Sequence, residues 1–138
     1  MKNKPLTLNL DSSIESINWE SLKNKNSRAT RQYADSIEAT ILNDQCIQVI
    51  ATRKSYFKPK SNFKCSVSMK LLVNFEDILP KEDIESICEK IKKGDDELAF
   101  HVFSYLSIIL SNLDVANGCP YPLITAPLPN LPTQTEQD

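Results

Sequence analysis

The sequence predicts an α+β fold, and three observations predict it. Four runs within the first 75 residues carry the two-residue alternation, or the β-branched and aromatic content, of strands. Two runs after residue 79 carry helical spacing, and Pro, Asn and Gly mark the boundaries between runs. Four strands are therefore expected first, followed by a short and a long C-terminal helix.

Residues 6–20, LTLNLDSSIESINWE, alternate but change side on the way. Leu6, Leu8, Leu10 and Ile14 share one parity while Ile17 and Trp19 share the other, which predicts a bulge or bend in one long strand or two short ones. Residues 21–32, SLKNKNSRATRQ, are polar, basic and aperiodic, hence a loop. Residues 33–42 allow four-residue steps at Tyr33, Ile37 and Ile41 or two-residue steps at Ile37, Ala39 and Ile41; the run that follows favours strand. That run, DQCIQVIATRKSYF at 44–57, is rich in β-branched and aromatic types, KPKSN at 58–62 is a turn, and FKCSVSMKLLVNF at 63–75 alternates cleanly. Phe63, Cys65, Val67, Met69, Leu71, Val73 and Phe75 fall on one side of it and Lys64, Ser66, Ser68 and Lys70 on the other. The pair forms an antiparallel hairpin with one covered face and one Lys/Ser-lined face.

Residues 79–94 place Pro80 near the start, acids in the first turns, Ile84, Ile87, Cys88 and Ile91 on one stripe, lysines in the last turn and Gly94 beyond it, which predicts a short amphipathic helix. The long helix is expected over 95–118, with Asp95 or Asp96 at its start and Gly118 at its end. Leu98, Val102, Leu106, Ile109 and Leu113 recur at three- and four-residue steps, and Ala99, Phe103 and Leu110 widen the stripe. So broad an apolar surface needs cover from the chain's own strands or from a second copy. Residues 119–132 carry five prolines and read as an extended arm, and 133–138 as a frayed, disordered tail behind a single domain of residues 1–132.

Charge is divided. Residues 21–70 hold ten Lys/Arg against three Asp/Glu, and residues 71–138 hold four against twelve, which favours charged partners or self-association. Four cysteines, at 46, 65, 88 and 119, show no metal-ligand spacing, so no metal and no cofactor is expected, and they read as apolar fillers. No signal-peptide core and no run of eighteen apolar residues occurs, so a reduced, cytoplasmic location off the membrane is expected. Two glycines exclude a phosphate-cradling loop. His101 has no acid at i+4 and no evident nucleophile, so it reads as a surface or structural histidine rather than a base. The carboxylates at Glu76–Asp77, Glu82–Asp83–Glu85 and Asp95–Asp96–Glu97 sit at helix starts and read as caps rather than cation ligands. No catalytic residue is proposed. The basic segment with interleaved aromatics, from Arg28, Arg31 and Tyr33 through Arg53, Lys54, Tyr56, Phe57, Lys58 and Lys60 to Phe63 and Lys64, suggests an alternative function as a single-stranded nucleic-acid-binding module using the basic sheet face.

In order and spacing over residues 10–128 the chain resembles the SecB-like chaperone family. SIESINWE at 13–20, the two hairpin strands and HVFSYLSIILSNLDVANGCPYPLITAP at 101–127 carry the resemblance. It implies a four-stranded antiparallel sheet followed by the two helices, subunits paired partly through their first strands, and two pairs stacked through long helices into a homotetramer. It also implies an ATP-independent holdase that binds non-native polypeptide. Client contacts would fall at Trp19, Tyr56, Phe57, Phe75, Ile78 and Leu79 and, on the arm, at Leu123, Ile124, Leu128 and Leu131, which otherwise lid the core. Subunit contacts would fall at Ile14, Ile17, Phe103, Leu106, Ile109, Leu110 and Leu113. Export members of the family dock the motor SecA on an acidic sheet face; the matching positions here are Ser16, Glu20, Lys64 and Ser66, of which only Glu20 is acidic. That composition disfavours SecA docking and favours a branch dedicated to one client, such as the antitoxin of a toxin–antitoxin system.

Overall fold

The computed structural model describes residues 8–94 and 97–118. Strands β1 (Leu8–Ser21), β2 (Thr30–Asn43), β3 (Cys46–Lys58) and β4 (Phe63–Phe75) precede helices α1 (Lys81–Lys93) and α2 (Glu97–Ala116). All strand pairs are antiparallel, in the order β1-β4-β3-β2, so the two strands earliest in the chain lie at opposite edges. The α+β architecture is the one expected, and the hairpin's second strand spans the residues assigned to it, 63–75.

The parity change in β1 is one inserted residue. Leu8, Leu10 and Ile14 pair with Phe75, Val73 and Met69; the register then shifts between Ile14 and Ser16, after which Ile17 and Trp19 pair with Val67 and Cys65. Glu15 is thus the extra residue of a bulge, and it keeps every large apolar residue of β1 on the face where β4 presents its own. The link from β1 to β2 must cross the end of the sheet, and the β3–β4 turn holds it there. Asn62, in the left-handed region at φ 62°, donates its amide N–H to Asn24 O at 2.6 Å and accepts the Leu22 N–H at 2.7 Å. Its side-chain carbonyl accepts the Asn26 N–H at 2.9 Å and its Nδ2 donates to Asn26 O at 3.0 Å.

Helix α1 starts behind Pro80, whose carbonyl accepts the amides of Asp83 and Ile84, and ends at Gly94, left-handed at φ 72° with its N–H on Ile91 O at 3.0 Å. Ile84, Cys88 and Ile91 are buried. Helix α2 lies over β3 and β4 while α1 lies over β2. The core forms between them from Ile47, Val49 and Ala51 of β3, the odd-numbered residues of β4, and Ala99, Val102, Phe103, Leu106 and Leu110 of α2. Among the described residues the other sheet face carries no helix. The expected cap at Asp95 or Asp96, the arm at 119–132 and the tail at 133–138 lie outside the described residues.

Candidate functional site

The inner sheet face is not purely apolar. Arg53 of β3 is completely buried and makes a bidentate pair with the equally buried Asp35, its cross-strand partner on β2, through Nε–Oδ1 and Nη2–Oδ2 contacts of 2.7 Å. Its Nη1 donates to Ser107 Oγ of α2 at 2.5 Å, and the rings of Tyr33 and Phe103 lie 4.8 and 5.1 Å from the guanidinium carbon. A second pin stands farther along. Arg31 of β2 makes a bidentate pair with the buried Asp114 of α2 at 2.7 and 2.8 Å and donates from Nε to Ser55 Oγ at 2.6 Å. The guanidinium faces Phe63 at 4.8 Å and Phe57 at 5.7 Å. Two forks therefore fix where α2 sits on the sheet, since sliding the helix by one turn would strand buried charges. By length and composition α2 could cross a membrane; in this fold its buried side and both forks bind it to the sheet.

Neither fork stands out in the sequence, although a signal was present. Asp114 is the single acid within the apolar run 98–116 and lies four residues after Leu110, on the buried stripe. An acid there requires a buried cation opposite. The same geometry corrects the basic-face reading: Arg31, Tyr33, Arg53, Phe57 and Phe63 share the inner face, so the cations and rings that suggested stacked bases are used in the subunit's own interior.

Beside this packed interior runs an uncovered one. Leu8, Leu10, Ile14 and Ile17 of β1 share the inner face, yet they are 40%, 47%, 46% and 46% exposed, because α2 stops short of the edge strand. Both ends of α2 nevertheless flank it. Leu98 and His101, at its start, line an opening of about 280 Å³ with Leu8, Leu10, Val73 and Phe75. Asn117 and Gly118, past its end, line one of about 350 Å³ with Trp19, Phe57 and Phe63. These two openings, joined by the half-exposed row of β1 about 35 Å long at roughly 3.4 Å per strand residue, make an apolar trough along the edge of the helix layer. At the Trp19 end, Trp19 stacks on Phe63 at 4.1 Å and Phe57 meets Phe63 edge-on at 5.1 Å.

The expected client residues divide between the two ends. Trp19 and Phe57 gather with Phe63 at one, while Ile78 stands exposed at the other beyond Phe75. Phe75 and Leu79 are buried core residues, although Phe75 also lines the opening beside Leu8 and Leu10. Tyr56 belongs to the opposite, outer face. Leu123, Ile124, Leu128 and Leu131 lie outside the described residues. Of the expected subunit contacts, Ile14 and Ile17 are exposed, and Ile109 and Leu113 lie half-buried at the core margin. Phe103, Leu106 and Leu110 are fully buried against the sheet, so nothing of them is left for a neighbour. The α2 residues that do face outward are Phe100, Tyr105, Ile108 and Val115, which helical spacing did not single out because the more apolar stripe hid them.

Ser16, Glu20, Lys64 and Ser66 share the outer face, Glu20 opposite Lys64 with an exposed ion pair of 3.5 Å. His101 is exposed and edge-on to Phe100 at 5.8 Å. Burial pushes the Cys65 thiol above its ordinary value, with the neighbouring Arg31 opposing the shift, and burial raises Cys88 as well. Among the described residues no cluster of three or more His, Cys, Asp or Glu side chains could hold a metal ion.

A four-stranded antiparallel sheet backed on one face by a short and a long C-terminal helix is the SecB-like chaperone fold. A solved structure of this fold, the SecB-like chaperone Rv1957 of Mycobacterium tuberculosis in complex with a ChAD peptide from the HigA1 antitoxin, superposes with a TM-score of 0.63 at 11% sequence identity, covering 88% of this chain and 87% of that one. A protein of unknown function from Streptococcus agalactiae covers 88% of this chain and 98% of its own at 8% identity, but a TM-score of 0.47 is too loose an overlay to define a fold. No protein-family model matches the sequence, and no curated protein sequence matches it.

Proposed function

We propose that this protein is a SecB-like, ATP-independent holdase, cytoplasmic and non-enzymatic, that binds non-native polypeptide at the two ends of the trough beside β1. The observation that carries this reading is the row Leu8, Leu10, Ile14 and Ile17, an apolar strand face that the described residues of its own subunit leave open. The ends of the trough, at Leu8 and Leu10 and at Trp19, Phe57 and Phe63, hold client side chains. The middle, at Ile14 and Ile17, meets a second copy. The outward stripe of Phe100, Tyr105, Ile108 and Val115 on α2 then joins pairs into a homotetramer. The client is a dedicated one, such as an antitoxin tail, as for the Mycobacterium tuberculosis chaperone whose structure holds an antitoxin peptide.

Suppression of aggregation of a denatured model protein, measured without nucleotide and alongside light scattering, tests the reading. A tetramer that protects at stoichiometric amounts supports it; a monodisperse monomer that protects nothing removes it. Trp19 emission should shift when client enters, and Leu10→Asp should weaken protection without unfolding the chain.

A further inference from the structure

The outer face of the sheet has a charge pattern that the holdase reading does not use. Its two central strands present Lys54, Lys64 and Lys70 there and no acid, whereas the acids of this face, Asp11, Glu20 and Glu38, stand on the flanking strands β1 and β2. Lys64 reaches Glu20 in an exposed pair at 3.5 Å. Lys54 lies between Ser66 and Ala34, and Lys70 between Ser13 and Ile50, and neither has an ion pair among the described residues. The face is also hollowed: an open depression of about 710 Å³ is lined by Asn18, Glu20, Lys54, Tyr56, Lys64 and Ser66. Beside it Thr52 and Ser68 share a hydroxyl hydrogen bond of 2.7 Å, so further donors continue towards Lys70.

We propose that this face docks a short acidic peptide segment, laid in extended form along β4 from Lys64, past Lys54, to Lys70. The lysine strip is about 20 Å long at roughly 3.4 Å per residue, the span of about six extended residues. Carboxylates meet the ammonium groups, the hydroxyls of Ser66 and Tyr56 donate between them, and a competing carboxylate displaces Glu20 from Lys64. The acidic flanks decide the class of partner. A long polyanion crossing the sheet would run over Asp11, Glu20 or Glu38, and Tyr56 alone offers no platform for successive bases, so the frame admits a short acidic peptide and disfavours nucleic acid. The pattern inverts the acidic docking face of export chaperones, and it is independent of whether client occupies the trough, which lies on the opposite side of the sheet.

The test is fluorescence anisotropy of the full chain with a labelled hexaglutamate peptide, a hexalysine peptide and a single-stranded oligonucleotide of equal charge. Hexaglutamate should bind at low salt and weaken at least about tenfold when salt is raised from about 25 to about 250 mM, because exposed charge contacts are screened. The Lys54→Glu/Lys64→Glu double variant, with an unchanged melting temperature, should lose that binding. Absence of hexaglutamate binding at low salt, equal binding by the double variant, or tighter binding of the oligonucleotide than of the acidic peptide would each overturn the proposal.

Discussion

Strands β1 and β4 pair along their whole length and carry matching apolar faces, but they differ almost completely in cover. On β4, Cys65, Val67, Met69, Leu71, Val73 and Phe75 are all buried; on β1, Leu8, Leu10, Ile14 and Ile17 remain nearly half exposed. Alternation records which side of a sheet a residue occupies. Whether anything lies on that side depends on where α2 is anchored, and Asp114 and Ser107 anchor it over β3 and β4. The exposure of this strand therefore follows from where α2 is held, by Arg31 on Asp114 and by Arg53 on Ser107, and among the described residues nothing of the subunit covers it.

The strongest way to break this contrast is to remove a fork. Asp114→Ala leaves Arg31 without its carboxylate on α2 and should cost about 3–5 kcal/mol of unfolding free energy in urea melts, with much of the loss recovered when Arg31→Met is added. A single-variant loss below about 1 kcal/mol would show that α2 is held by apolar packing alone.

Next comes the pair of strands itself. Leu71→Ala removes a buried side chain and should cost about 2–5 kcal/mol, whereas Ile17→Ala on the facing side of the edge strand should cost less than about 1 kcal/mol per isolated subunit. If Ile17 meets a second copy, Ile17→Asp lowers the mass measured by light scattering while the circular dichroism spectrum holds.

A smaller effect is expected from Cys65. Its thiol is raised in the fold, so the neutral form is favoured there and the group's stabilisation is complete below the ordinary thiol range, then is lost as pH rises into and above it. Urea midpoints should fall more between pH 8 and pH 10 for the parent chain than for Cys65→Ala, and native Cys65 should react with a disulfide reagent at least about tenfold more slowly than an unfolded thiol. The least effect belongs to the Lys64–Glu20 pair: both side chains are about half exposed, so Glu20→Gln should change stability by under about 0.5 kcal/mol.

Much of this could be read along the chain. The strand limits at Phe63 and Phe75, the parity change that became the Glu15 bulge, and the stop at Gly94 are local facts, set by alternation, one inserted residue and one left-handed glycine. The trough was less legible. Trp19 and Phe57 were recognised without Phe63 beside them, and Phe75 and Leu79 were assigned to it although both are largely buried, Phe75 lining the opening beside Leu8 and Leu10. On α2 the spacing identified an apolar helix but assigned Phe103, Leu106 and Leu110 to a neighbour, while Phe100, Tyr105, Ile108 and Val115 are the large apolar residues that face out.

By itself, then, the sequence determined the number and order of the elements, the face each strand residue occupies, and a resemblance to SecB-like chaperones, because these depend on contacts between residues near in sequence or repeating at fixed steps. Only the tertiary structure decided that Arg31 and Arg53 belong to the interior with Asp114 and Asp35, and that β1 lies outside the helix layer. Those facts rest on partners as far as 83 residues apart, and no local period encodes which distant side chain will neutralise a buried charge.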